Sequence, residues 1–186
     1  MFALRRISGA AAASTRTPAA KRSLSSLHPT LYTSSTTSTG SRAKGKATNP
    51  ENNLELIMGM PKEMGGSKGP AGGESNPEQL FGAAYSTCFL SALGATHGTL
   101  FPKHKPLPKS TAVRALVSIG KDKTEKLPIR QGFLLGVELE VLKKPLQEVG
   151  LEDADIQKLV RQAHQLCPYS RAVNGNIEVV VRVVDA

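Results

Sequence analysis

Two side chains in this 186-residue chain are suited to nucleophilic or redox chemistry, Cys88 and Cys167. A thiolate attacks electrophiles, and two thiols brought together can exchange between a dithiol and a disulfide. Two cysteines cannot form a CxxC-type zinc centre, and their spacing matches no zinc pattern. In a reducing compartment a structural disulfide is uncommon. The pair is therefore either two inert, buried thiols or a redox couple, and the segments around each cysteine bear on the choice.

Around Cys88 the pattern predicts a long helix. Asn76 suits an N-cap, Pro77 the first helical position, and Gln79 the partner position of a capping box. From Gln79 to Pro102 there is no Asp, Glu, Lys or Arg. Gln79, Tyr85, Ser86, Thr87, Ser91, Thr96 and His97 make the run too polar for a membrane span of roughly 20 apolar residues. A helix buried on nearly all sides is expected instead. Its small residues, including Gly82, Ala83, Ala84, Ser91 and Ala92, allow close approach of another element.

In such a place burial alone raises a thiol's pKa and silences it. Cys88 lies about three turns from the helix start, beyond the reach of a dipole that fades within one turn. A reactive Cys88 needs a cation from another segment. Glu78, in the first turn, is either a simple dipole-complementing acid worth about 0.3–1 kcal/mol or the carboxylate that holds that cation by a bidentate pair. Ten residues at about 100° each leave Glu78 and Cys88 roughly 80° apart around the helix, so a bridging group is required. Arg42, Arg114, Arg130, Arg161 and Arg171 are all open to that role.

The remaining elements follow from periodicity. His28–Thr39 reads as an edge strand, Ser41–Asn53 as a turn-rich basic hairpin tip and Leu54–Met60 as the returning strand. Residues 64–75 form a Gly-rich loop without the Lys-Ser/Thr ending of a phosphate-binding loop. Val113, Ala115, Val117 and Ile119 share one face of a strand, and Phe133, Leu135, Val137, Leu139 and Val141 one face of the next. Ile156, Leu159, Val160, Ala163 and Cys167 line one side of a helix from Glu152 to Leu166, which Pro168 ends. Asn174-Gly175 is a turn, and Ile177–Val183 a final strand. The order β-β-α-β-β-α-β gives an α+β fold with helices packed on antiparallel strands.

The net charge of +9 is unevenly placed. Residues 1–50 hold eight basic and no acidic side chains, and the rest is nearly neutral. The folded body therefore lacks the basic patch of a nucleic-acid binder. Residues 1–24 are rich in Arg, Ser, Ala and Thr, the composition of a mitochondrial transit peptide, with Arg22-Ser23-Leu24 preceding a cut before Ser25. This leaves residues 25–186 as one domain.

The strings NPEQLFGAAYSTCFLSAL (76–93) and AHQLCPYSRAVNGN (163–176) closely resemble the two signature regions of the OsmC/Ohr family. They are most similar to its organic hydroperoxide resistance (Ohr) branch, over roughly residues 29–186. The resemblance implies an intertwined homodimer with sheets wrapped around long central helices. It implies a peroxidase that reduces organic, including fatty-acid, hydroperoxides. Cys88 resembles the peroxidatic cysteine, Cys167 the resolving one, and Glu78 the site glutamate. Arg42, in Gly40-Ser41-Arg42 where the family commonly has Gly-Gly-Arg, resembles the site arginine. A Cys88 sulfenic acid and a Cys88–Cys167 disulfide are implied, with recycling by dihydrolipoamide or a lipoylated protein, and no metal, haem or flavin. With the transit peptide, the location implied is the mitochondrial matrix.

Two rival readings are a sister OsmC-type peroxidase with another substrate preference, against which the Cys-Pro-Tyr-Ser string argues, and a non-catalytic small-molecule-binding domain with inert cysteines. His164 reads as a half-buried helix histidine. His97 and His104 carry no pattern. Tyr85 and Tyr169 read as packing residues able to line a pocket, and Lys121–Lys126 as a solvated turn.

Overall fold

Alternation and capping place most elements where the sequence puts them. The computed structural model describes residues 29–66, 73–121 and 132–185. In chain order these form β1 (Thr37–Thr39), β2 (Gly45–Asn49), β3 (Leu54–Met58), a 3-10 turn (Lys62–Met64), α1 (Pro77–Leu100), β4 (Val113–Lys121), β5 (Phe133–Leu142), α2 (Lys144–Glu148), α3 (Asp153–Leu166), α4 (Pro168–Val173) and β6 (Val179–Val184). All of them lie in the unit Ser34–Ala186. The expected transit peptide (1–24), Arg130 and most of the Lys121–Lys126 run lie outside the described residues.

The expected α+β architecture is present as two three-stranded sheets, ordered β1-β2-β3 and β4-β5-β6. Three expectations need correction. The segment Ser41–Asn53 is not all hairpin tip, because it contains β2, which pairs antiparallel with both β1 and β3. Its Gly, Lys and Asn weaken the strand signal, yet Gly45, Ala47 and Asn49 alternate inward and two neighbours supply the ladder. The first strand shrinks to Thr37–Thr39. Just ahead of it the Ser34 and Thr36 hydroxyls accept hydrogen bonds from Asn49 Nδ2 at 2.9 and 3.3 Å. Finally, β6 runs parallel to β5, not antiparallel. The helices α2, α3 and α4 form the crossover that parallel pairing requires.

Helix α1 is the axis of the unit. It starts with the expected capping box: Gln79 N–H donates to Asn76 Oδ1 at 2.8 Å, and Asn76 N–H donates to Gln79 Oε1 at 3.0 Å. Tyr85, Phe89 and Leu93 on one face of α1 meet Leu139 and Val141 of β5 and Ile156, Leu159 and Ala163 of α3 in the hydrophobic core. The opposite face departs from expectation. Ala83, Thr87, Ser91, Gly94 and Gly98, at helical spacing, are exposed in the single chain. No helix among the described residues is long and apolar enough to cross a membrane.

Replacing Asn76 with Ala removes an N-cap acceptor and is expected to lower stability by about 1 kcal/mol. Chemical denaturation measures this as a lower midpoint with an unchanged slope.

Candidate active site

Cys88 lies about three turns into α1 and Cys167 in the junction between α3 and α4. Cys167 belongs to the inward face of α3 and is fully buried; Cys88 is partly buried against the same core. The packing of α1 on α3 and α4 brings the two sulfurs to 3.6 Å, with the Cys167 thiol directed at Cys88 Sγ. Both are free thiols. A disulfide bond is about 2.05 Å long, so the two sulfurs are close but not bonded.

Pro168 does end α3, but it also opens α4 in the same step. It occupies the first position of α4, where its missing N–H costs nothing, and Cys167 caps both helices. The turn sets the Tyr169 backbone N–H against the Cys88 sulfur, to which it donates a hydrogen bond. Three influences act on this thiol. Burial, the largest, pushes its pKa above the ordinary thiol value. The Tyr169 amide pulls it down, and the neighbouring Cys167 pushes it up again. The net direction is upward. The Tyr169 amide and Ser170 were not among the expected site residues. Their signal was the Cys-Pro-Tyr-Ser string, in which Pro168 looked only like a stop.

The second half of the expected site also comes together. Arg42 sits in the turn between β1 and β2. That turn closes on Gly40 at φ +78°, where a Cβ would lie 2.8 Å from the Lys44 carbonyl oxygen, and on Gly45, whose Cβ would collide with the Ser41 carbonyl. Ser41, at the position where the second glycine is more common, accepts a hydrogen bond from Lys44 N–H through Oγ at 3.3 Å. Arg42 Nη2 reaches both carboxylate oxygens of Glu78 at 2.6 Å. One nitrogen serves both oxygens, in place of the two-pronged fork expected. The Glu78 side chain is 12% exposed and that of Arg42 31%, and Arg42 Nε is buried without a partner.

The two halves are not joined in this structure. Neither a hydrogen bond nor an ion pair links Arg42 to Cys88, and no cation figures among the influences on the Cys88 thiol. Glu78 and Cys88 do not touch, as about 15 Å of helix axis between them requires. Of the other arginines, Arg114 pairs with Glu140 across β4 and β5, Arg161 and Arg171 are exposed, and Arg130 lies outside the described residues.

Phe81, Tyr85 and Tyr169 form an aromatic wall beside the cysteines, with ring centroids 5.7–6.2 Å apart. The Tyr85 hydroxyl donates to Ser170 Oγ at 3.0 Å inside the protein. His164 is half-buried beside Phe89, and burial lowers its pKa, favouring the neutral ring. His97 is buried next to His104, and both burial and that neighbour lower its pKa. Among the described residues no group of three or more His, Cys, Asp or Glu side chains is placed to hold a metal ion.

A family model described as "OsmC-like protein" matches residues 69–182. The organic hydroperoxide resistance protein of Xanthomonas axonopodis pv. citri is 38% identical over 151 residues, covering 81% of this chain and 93% of its own length. The chain belongs to the OsmC/Ohr family. Another member, the organic hydroperoxide resistance protein OhrA of Bacillus subtilis, is 36% identical over 155 residues, 83% of this chain and 97% of that one. Among solved structures, an organic hydroperoxide resistance protein from Elizabethkingia anophelis superposes with a TM-score of 0.68 at 36% identity, covering 85% of this chain and 99% of that one. The Bacillus subtilis OhrB structure follows at 0.65 and 32%, covering 83% and 100%. The relatives thus share the OsmC/Ohr fold as well as the sequence.

Because burial outweighs the Tyr169 hydrogen bond, Cys88 is expected to titrate above an ordinary thiol. Alkylation of Cys88 in a Cys167→Ser background should therefore accelerate as pH rises, with its midpoint on the alkaline side. A midpoint below neutral would contradict the electrostatics described.

Proposed function

We propose that this chain is a thiol peroxidase that reduces organic, including fatty-acid, hydroperoxides to alcohols. The observation that carries the proposal is the 3.6 Å approach of two free thiols, one partly open and one fully buried. The Cys88 thiolate attacks the distal peroxide oxygen. The O–O bond breaks, the alkoxide leaves and takes a proton to become the alcohol, and Cys88 keeps the hydroxyl as a sulfenic acid. Cys167 sulfur then attacks Cys88 sulfur, expelling the hydroxyl with a proton as water and forming the disulfide. A dithiol reductant, dihydrolipoamide or a lipoylated protein, exchanges with that disulfide, restoring both thiols and becoming a cyclic disulfide itself. No metal or organic cofactor enters this scheme.

Arg42 is the cation we assign to stabilising the Cys88 thiolate as it forms, with Glu78 holding the guanidinium. Its support is the short pairing of Arg42 with Glu78 and the guanidinium Nε left free. The accessible parts of Phe81 and Tyr169 favour an alkyl hydroperoxide over hydrogen peroxide, because each buried CH₂ contributes about 0.8 kcal/mol. A homodimer is part of the proposal. It would cover the uncharged stripe Ala83, Thr87, Ser91, Gly94 and Gly98 that α1 leaves exposed in one chain. The mitochondrial matrix is proposed as the location on the composition of residues 1–24 alone.

Mass spectrometry after a short exposure to an organic hydroperoxide should find a Cys88–Cys167 disulfide. Its absence, with peroxide unconsumed, would leave a non-catalytic binding domain as the better reading. Cys88→Ser should abolish turnover, whereas Cys167→Ser should undergo one oxidation and stall. Arg42→Ala should slow peroxide consumption by about a hundredfold. An unchanged rate in stopped-flow measurements would remove Arg42 from the scheme. His164→Gln should turn over at the rate of the parent protein, since its buried Nδ1 has no hydrogen-bond partner and its ring packs beside Phe89.

A further inference from the structure

Both signature strings contain a polar residue that the scheme above leaves unused, and the fold places these two residues in contact. Tyr85 precedes Cys88 by one helical turn, and Ser170 follows Cys167 by three residues. Tyr85 is fully buried and Ser170 is 3% exposed. Their hydroxyls meet at 3.0 Å, so the bond ties α1 to α4 immediately beside the sulfur pair. Among the described residues it is the one hydrogen bond between a side chain of α1 and a side chain of α4. The Tyr85 ring is clamped by Phe81 and Tyr169 at 5.7 and 5.8 Å, which limits its ability to find another partner.

We propose that the Tyr85–Ser170 hydrogen bond is a positioning latch that holds the α3–α4 junction against α1, setting the separation of the Cys88 and Cys167 sulfurs and keeping the Tyr169 amide on Cys88. It rests on the peroxidase reading and adds two residues to it, neither of which touches the reacting oxygen. The physical ground is the location of the bond. A buried hydroxyl deprived of its partner keeps its full desolvation cost, so the local structure relaxes to relieve it. The nearest movable parts are the α4 turn carrying Tyr169 N–H and the Cys167 side chain. A displacement of about 1 Å is enough to cost one to two orders of magnitude in a reaction between held groups. Attack on the peroxide involves Cys88 alone and is less sensitive to the latch than attack of Cys167 on the sulfenic acid.

The test compares Tyr85→Phe, Ser170→Ala and Ser170→Thr in the full chain. Rapid mixing with an organic hydroperoxide separates sulfenic acid formation from disulfide formation, and thiol titration reads Cys88 before any peroxide is added. Tyr85→Phe and Ser170→Ala should each slow disulfide formation about tenfold or more while changing the first step less. Each should raise the Cys88 midpoint further, and the double variant should behave like either single one. Ser170→Thr, which keeps a hydroxyl, should restore both readouts. Should Tyr85→Phe fold poorly, Ser170→Ala carries the test alone. If the parent protein forms its disulfide while Tyr85→Phe and Ser170→Ala resolve at the parental rate with the parental thiol midpoint, the latch is wrong and the peroxidase reading stands. A parent protein that forms neither sulfenic acid nor disulfide sinks both.

Discussion

The sulfur pair of the candidate site depends on the packing of one face of α1 against α3 and α4. That contact buries Tyr85, Phe89 and Leu93, and in the same act it sets Cys88 opposite Cys167. The core and the chemistry are therefore one object. The same aromatic and aliphatic side chains that stabilise the unit also dehydrate the thiol, and dehydration is the influence that dominates Cys88. A sulfur placed for reaction is thus held back from it by its own surroundings. The Tyr169 amide offsets part of that. In the proposed scheme the remainder falls to Arg42, which sits on a turn of the other sheet and pairs with Glu78 in the first turn of the same helix.

The sequence makes α1 legible almost to the residue, because Asn76, Pro77 and Gln79 give three independent start signals that agree. The strands β4 and β5 and helix α3 are equally plain, since each keeps an unbroken period. What the sequence obscures has a physical reason in each case. The strand β2 is short and built of Gly, Lys, Ala, Thr and Asn, so its identity comes from its two neighbours and not from its own propensity. The parallel direction of β6 depends on the helical crossover, and alternation along a strand carries no information about direction. Pro168 is a stop signal for one helix and a start signal for the next, and only the close approach of Tyr169 to Cys88 shows that the second meaning matters.

The site shows the same division. Burial of Cys167 follows from its place in the helical face of α3. The meeting of Cys88 and Cys167, far apart in sequence, follows from no local pattern and enters through the resemblance to the OsmC/Ohr family. The pairing of Arg42 with Glu78 is likewise a tertiary fact. Helix geometry shows that Glu78 cannot reach Cys88, but it does not say which arginine meets it. The open stripe on α1 reverses the expectation of a helix buried all round. A run without charges reports that water is unwelcome along it, and not whether the cover comes from the same chain.

One consequence concerns folding rather than chemistry. The two cysteines stand 79 positions apart in the same chain, so joining them would close a loop of that length. A cross-link of this span removes enough freedom from the unfolded chain to favour the native state by about 4.5 kcal/mol in the chain-entropy account. The oxidised form of such a protein is thereby harder to unfold than the reduced form. In the proposed peroxidase cycle each oxidation and recovery would move the molecule between a tighter and a looser thermodynamic state, and a reductant would work against that difference.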